Sequence, residues 1–111
     1  MGRSGEDAAV TYLEARGYRI LERNFRCKQG EIDIVAERGS AIVFCEVKTR
    51  RTDRWGQPSE AVDFRKQGRL RRLAAVWLSE REVRSRDIRF DVISVVAMGA
   101  ELRLDHLEDA F

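Results

Sequence analysis

Apolar positions recur along this chain with two different periods, and the switch between them marks out the elements. Ala9, Val10 and Leu13 share a stripe at helical spacing. They predict a helix from Ser4, whose hydroxyl suits an N-cap over Asp7, to Gly17, a natural left-handed stop. Glu6 lies on the same stripe and therefore points toward the core side. From Tyr18 the period drops to two, predicting strands over Tyr18–Phe25, Glu31–Ala36 and Ala41–Thr49, with a turn at Glu37–Ser40. Together these make an antiparallel meander. Residues 50–58 lose all periodicity and read as a loop, and Ser59 opens a second helix that runs to about Glu82. Leu70, Leu73, Ala74, Trp77 and Leu78 form its apolar face. Strands at Arg89–Val96 and Glu101–Leu107 follow, and no repeat or linker divides residues 1–111 into more than one domain.

Against this pattern, four charged residues stand inside the two most apolar segments: Glu31 and Asp33 in one, Glu46 and Lys48 in the other. Strict alternation groups Glu31, Asp33 and Val35 on one strand face, and Phe44, Glu46 and Lys48 on one face of the next. Turn geometry decides whether the two sets meet. A two-residue Gly39-Ser40 turn, glycine first as a type II′ turn prefers, sets Asp33 opposite Glu46 and Glu31 opposite Lys48. A three-residue turn separates the charges onto two faces, whereas a four-residue turn keeps them together.

Two carboxylates facing each other across a strand pair repel, and a divalent cation between them removes that cost. Mg²⁺ takes hard oxygen ligands, so Asp33, Glu46 and a backbone carbonyl such as that of Val47 suit it. Lys48 cannot bind a metal, but its ammonium can stabilise developing phosphate charge or help deprotonate a water. A single acid in a strand is more commonly an edge-strand charge or part of a solvated face. The joint pattern, beside a basic loop and a basic helix, points instead to a hydrolytic phosphodiester site. A structural Glu31–Lys48 salt bridge is compatible with both readings.

The charge balance adds a local field rather than a global one. Net charge is only +2, too mild to imply nucleic-acid binding by itself. Yet Lys48, Arg50, Arg51 and Arg54 crowd one loop, and Arg65, Lys66, Arg69, Arg71 and Arg72 crowd the next helix with no acid among them. Cys27 and Cys45 lack the close-set partners of a zinc site and read as reduced thiols of a cytoplasmic protein. No apolar run approaches the length of a membrane span.

Asp33 followed after one hairpin by Glu46-Val47-Lys48 resembles the PD-(D/E)XK nuclease signature. Gly30-Glu-Ile-Asp-Ile-Val-Ala36 with Phe44-Cys-Glu-Val-Lys-Thr-Arg50 is similar to the YraN family, small proteins that resemble archaeal Holliday-junction resolvases. The likeness runs from Gly5-Glu6 and Gly17-Tyr18 through Arg23-Asn24 to His106-Leu-Glu-Asp-Ala-Phe111. It implies a restriction-endonuclease-like αβββαβ core of α/β class, with a central mixed sheet flanked by helices. It also implies Asp33 and Glu46 as ligands of Mg²⁺ or Mn²⁺, Lys48 as the signature lysine, and Glu6 as the helix acid that completes the site. The proline of the signature is absent, since Ile32 precedes Asp33. Gln67 corresponds to a supporting polar residue in the helix, and a homodimer acting on DNA is expected by analogy.

For nucleic acid, Arg50, Arg51, Arg54, Arg65, Lys66, Arg69 and Arg72 are the candidate phosphate contacts. Trp55 stands as either a base-stacking residue or loop packing. The leading expectation is a metal-dependent, structure-selective DNA endonuclease; the alternative is a non-catalytic nucleic-acid-binding module on the same fold. Paired carboxylates also serve glycosidases, but lysine and arginine flanks suit a polyanion better than a neutral sugar. His106 and Cys45 read as structural.

Overall fold

Each predicted element is present in the computed structural model, which describes residues 2–51, 62–83 and 86–111, and side chains from Gly5 onward. Helix α1 (Gly2–Ala15) is followed by β1 (Arg19–Cys27), β2 (Gly30–Arg38) and β3 (Ala41–Arg51), then by α2 (Phe64–Glu80), β4 (Asp87–Met98) and β5 (Glu101–Leu107). The strands lie in the order β1-β2-β3-β4-β5, with β3 and β4 parallel and the other neighbours antiparallel. This is a mixed five-stranded sheet flanked by helices, an α/β fold compatible with the restriction-endonuclease-like core expected from the sequence. Among the described residues no helix is long and apolar enough to cross a membrane.

The helix boundaries differ from expectation at their starts. Helix α1 begins at Gly2, so Ser4 lies within it instead of capping it. At its other end Gly17 takes a φ of +88°, and Tyr18 N–H returns to the Leu13 carbonyl at 3.0 Å, a left-handed stop as predicted. Helix α2 is capped by Asp63, whose carboxylate accepts the Lys66 N–H at 2.8 Å; Ser59 lies outside the described residues. Asp63 suits the position because a carboxylate aligned with the helix dipole is both a capping acceptor and a favourable charge.

The sheet separates two apolar layers. On one side α2 packs Leu70, Leu73, Ala74 and Trp77 against Phe25, Ile32, Val35 and Phe44. On the other, α1 packs Ala9 and Leu13 against Ile34, Ala36, Val43, Cys45 and Ile93. Burying side chains such as Leu13, Ile34 and Leu73 to 0% exposure is worth about 1.5–3 kcal/mol each, and these contacts fix both helices on the sheet.

The β2–β3 hairpin closes through Gly39-Ser40, with Arg38 opposite Ala41 and Gly39 at a φ of +61°, as the predicted turn requires. From that turn the register runs to Ile34 opposite Cys45 and stops. In β1 and β2 the alternation of faces breaks at two levels, first at a bulge between Ile20 and Glu22 and then beside Asn24. Arg23 turns to the α1 side, where it pairs with Asp7 and Glu6, while Phe25 enters the α2 layer. Residues two apart ordinarily share a face. Asn24 between them has a φ of +56°, the left-handed conformation asparagine tolerates best among residues with a Cβ. In β2, directly across, Ile32 and Val35 both join the α2 layer although they are three residues apart. The residue at the break is Asp33.

Candidate metal centre and nucleic-acid interface

The phase break frees Asp33 from either face of the sheet. Its Oδ2 accepts the Val47 N–H at 2.8 Å, so the side chain takes the place of the ladder bond that the parting strands no longer make. The expected cross-strand pairs of Asp33 with Glu46 and Glu31 with Lys48 are therefore absent from the ladder: β2 and β3 diverge one position too early. Glu31 instead pairs with Arg26, its neighbour on β1, at 3.4 Å, and no ion pair joins it to Lys48 among the described residues. Ile32 and Ile34, which strict alternation would put on one face, enter opposite layers for the same reason, since alternation does not survive the break at Asn24.

Divergence opens a cleft of about 240 Å³ in which Gly30, Glu31, Asp33 and Glu46 face Lys66 and Arg69 of α2. A fourth acid comes from α1. Carboxylate oxygens of Glu6, Glu31 and Asp33 lie within 4.8 Å of one another. Gly5 makes this approach feasible: a Cβ there would overlap Thr49 Oγ1 and lie 3.1 Å from Thr49 Cβ. Without a side chain at Gly5, the first turns of α1 rest directly on β3, and Glu6 is delivered to the fork. Gly30 is required by its backbone instead. Its φ of +138° is open to glycine, and a Cβ there would meet Arg69 Cδ at 3.4 Å.

Burial pushes the Asp33 carboxyl up to about 7, and the charges of Glu46, Glu6 and Glu31 push the same way against the Val47 hydrogen bond. Such crowding of hard oxygen donors is costly alone and suits a divalent cation. Glu6, Glu31 and Asp33 are the side chains placed to hold one. Glu46 is buried and paired differently: its Oε2 lies 2.5 Å from Lys66 Nζ. The N–H and C=O of a strand residue point to the same edge, so the Val47 carbonyl faces the fork alongside its N–H.

The remaining sequence candidates are distributed around this cleft. Lys48, half-buried, follows Glu46 on the same face of β3 and lies opposite Ser94 of β4. Arg50 and Arg51 end β3, and Arg65, Arg69 and Arg72 are exposed on α2. Arg71 is engaged elsewhere, over the stacked rings of Phe90 and Phe111. Gln67 donates to the Val62 carbonyl at 2.7 Å, which ties it to the start of α2 and away from the acids. Arg54 and Trp55 lie outside the described residues.

Three residues of the site were not singled out for their role by sequence reasoning: Asn24, Gly30 and Gly5. The signals were present as residues of poor strand propensity or minimal size beside charged ones. A second polar cluster was also missed. Asp91, fully buried in β4, accepts two bonds from Arg89 at 2.8–2.9 Å, one from the Asp109 N–H at 2.9 Å, and lies 2.6 Å from His106 Nε2. His106 Nδ1 in turn meets Tyr12 Oη at 3.0 Å. This network ties the C-terminal segment to α1 and β4, which agrees with the structural role expected of His106. Cys45 is fully buried on the α1 side, where lost hydration pushes its thiol well up, as suits a core residue.

An acid-lined fork in a mixed α/β sheet defines the class of protein by its architecture. Comparison with known sequences then identifies the group: residues 5–95 match the model of "Uncharacterised protein family UPF0102", and the chain belongs to that family, the YraN family its motifs resemble. It is 47% identical over 110 residues to a UPF0102 protein of Myxococcus xanthus, covering 99% of this chain and 87% of the relative. A UPF0102 protein of Frankia casuarinae is 48% identical over 112 residues, covering 100% and 95%. One from Moorella thermoacetica is 56% identical over 94 residues, covering 85% and 78%.

Proposed function

We propose that this protein is a Mg²⁺- or Mn²⁺-dependent endonuclease that hydrolyses phosphodiester bonds in structured DNA. The observation that carries the reading is the convergence of Glu6, Glu31 and Asp33 on one point, with the Asp33 carboxyl pushed to about 7. A basic wall, Lys66 and Arg69, faces that point across the cleft.

Glu6, Glu31 and Asp33 would hold the cation, with the Val47 N–H fixing the Asp33 rotamer. A bound Mg²⁺ or Mn²⁺ supplies Lewis acidity that polarises a phosphoryl oxygen. Arg69 and Lys66 bind phosphate oxygens and orient the strand, and Lys66 leaves Glu46 as it does so. Lys48 stabilises, through its ammonium, the charge developing on the phosphate as the water oxygen bonds to phosphorus and the ester P–O bond breaks, the water's proton passing to solvent. Arg50, Arg51 and Arg65 extend the electrostatic contact along the backbone. A homodimer would place two such sites on opposite strands.

The deciding experiment incubates flap, junction, single-stranded and duplex DNA with Mn²⁺ and either wild type or Asp33→Asn. Cutting by wild type, lost in the variant while DNA binding persists, supports the reading; no cutting of any substrate overturns it. The Glu46–Lys66 contact favours one other reading, a DNA-binding module that does not cut, because it satisfies Glu46 without a cation. Salt-dependent DNA binding with no calorimetric response to Mn²⁺ would select that reading.

A further inference from the structure

The outward face of α2 carries a feature the cleft does not use. Phe64, the first residue of the helix, is 91% exposed, far more than any other large apolar side chain of the described residues. Gly68 sits four residues on and Arg72 four beyond that, so the three share one stripe. Mid-helix glycine costs about 1 kcal/mol relative to alanine, and packing does not explain it here. A Cβ on Gly68 would meet only Arg72 Nη1, at 3.5 Å, the far end of a flexible side chain. The Arg72 guanidinium thus leans back over Gly68, and no acid among the described residues pairs with it.

We infer that Phe64, Gly68 and Arg72 form a stacking slot for one unpaired nucleobase. With the guanidinium over Gly68, about one helical turn, ~6 Å, separates it from the level of Phe64. That gap is close to what a flat base needs between two stacking partners, and Gly68 supplies a floor with no side chain. Aromatic rings and guanidinium planes are the usual stacking partners of splayed-out bases. Arg65 and Arg69 flank the stripe and supply charge for the adjoining phosphates, while Lys66 and Arg69 lead into the acidic cleft. A base held here belongs to a single-stranded segment or a branch point, since a base inside a duplex does not offer its face. The inference rests on the nucleic-acid reading of α2 and sharpens its substrate class: strands with unpaired bases next to the scissile phosphate.

The test measures binding of the full chain in EDTA, so that cleavage plays no part. Fluorescence anisotropy compares a single-stranded oligonucleotide, a flap and a duplex of equal length, for wild type, Phe64→Leu and Gly68→Ala. Each variant is expected to lose roughly tenfold in affinity for the single strand and the flap, with duplex affinity unchanged. Gly68→Ala is the decisive variant, because alanine favours the helix and its melting temperature should rise while binding falls. Equally tight binding of single-stranded RNA supports the slot as well, since stacking reads only the face of the base. Variants that bind the single strand like wild type, or that lose single strand and duplex alike, overturn it. Wild type that cuts DNA while the variants bind normally removes the slot alone; wild type that binds no nucleic acid removes both proposals.

Discussion

Asp33 accepts the Val47 N–H at 2.8 Å across the point where β2 and β3 part, so a side chain completes a backbone ladder that the strands abandon. The same carboxylate lies among Glu6, Glu31 and Glu46, and the compromise between these two demands sets the behaviour of the site.

The first consequence concerns stability without metal. Asp33 titrates near 7 in the folded protein against 3.8 ordinarily, so the folded chain binds the extra proton between those values. Stability therefore falls as pH rises from about 4 to 7 and levels off above. Asp33→Asn keeps an acceptor for Val47 but carries no charge. In EDTA it should exceed wild type by on the order of 2 kcal/mol at pH 8 and match it at pH 4 in urea unfolding.

Cation binding should be linked to the same proton. Between pH 5 and 7 a cation must displace it, so affinity for Mn²⁺ should rise up to about tenfold per pH unit and then plateau. Calorimetry in two buffers of different ionisation enthalpy reads the released proton directly. Glu6→Gln and Glu31→Gln should each weaken binding by about tenfold or more, and EDTA should lower the melting temperature of metal-loaded wild type.

Lys66→Ala separates two roles of one side chain. Its ammonium lies 2.5 Å from Glu46 in the cleft, so removing it frees a carboxylate for the cation. Mn²⁺ affinity should increase severalfold, whereas DNA binding weakens and its salt dependence loses about one phosphate contact.

Gly5→Ala should act on the site through packing. The added methyl overlaps Thr49, so α1 must lift from β3, at about 2 kcal/mol in stability, and carry Glu6 away from Asp33. Adding Thr49→Ala removes the overlapping Oγ1 and should restore much of the lost Mn²⁺ affinity, an outcome that a purely helical defect would not give.

The buried cluster around Asp91 governs acid stability. Burial alone would raise this carboxyl, but the bonds from His106, Arg89 and the Asp109 N–H hold it below its ordinary value. A group depressed in this way stabilises the fold above its unfolded value and loses that contribution as pH falls through the folded one. Asp91→Asn should cost about 3 kcal/mol near neutral pH, with a smaller penalty below pH 4.

Much of this architecture was legible in the sequence because local rules dominate there. Gly39 in a two-residue turn fixed the hairpin register, and β5 alternates cleanly enough that its bounds came out at Glu101 and Leu107. Glu6 was placed by its helical stripe. What escaped was non-local. The face switch at Asn24 depends on one left-handed residue, and the pairing of Glu46 with Lys66 depends on where α2 docks on the sheet. Asp91 lies in an apolar run whose partners, Arg89, His106 and Asp109, converge only in the folded chain. The start of α2 was read at Ser59 and not at Asp63 because both residue types suit an N-cap and the pattern does not choose between them.

The left-handed Asn24 also makes the β1–β2 ribbon keep two separate counts. Its turn-distal half and its turn-proximal half assign opposite parities to the same two layers, so Ile32 and Ile34 enter opposite ones. A one-residue slip would throw both halves out of step at once, dragging Phe25 from the α2 layer and Arg23 from α1 together. The aperture at Asp33 is thus held at a fixed depth by the two apolar layers, as a notch is held between two combs.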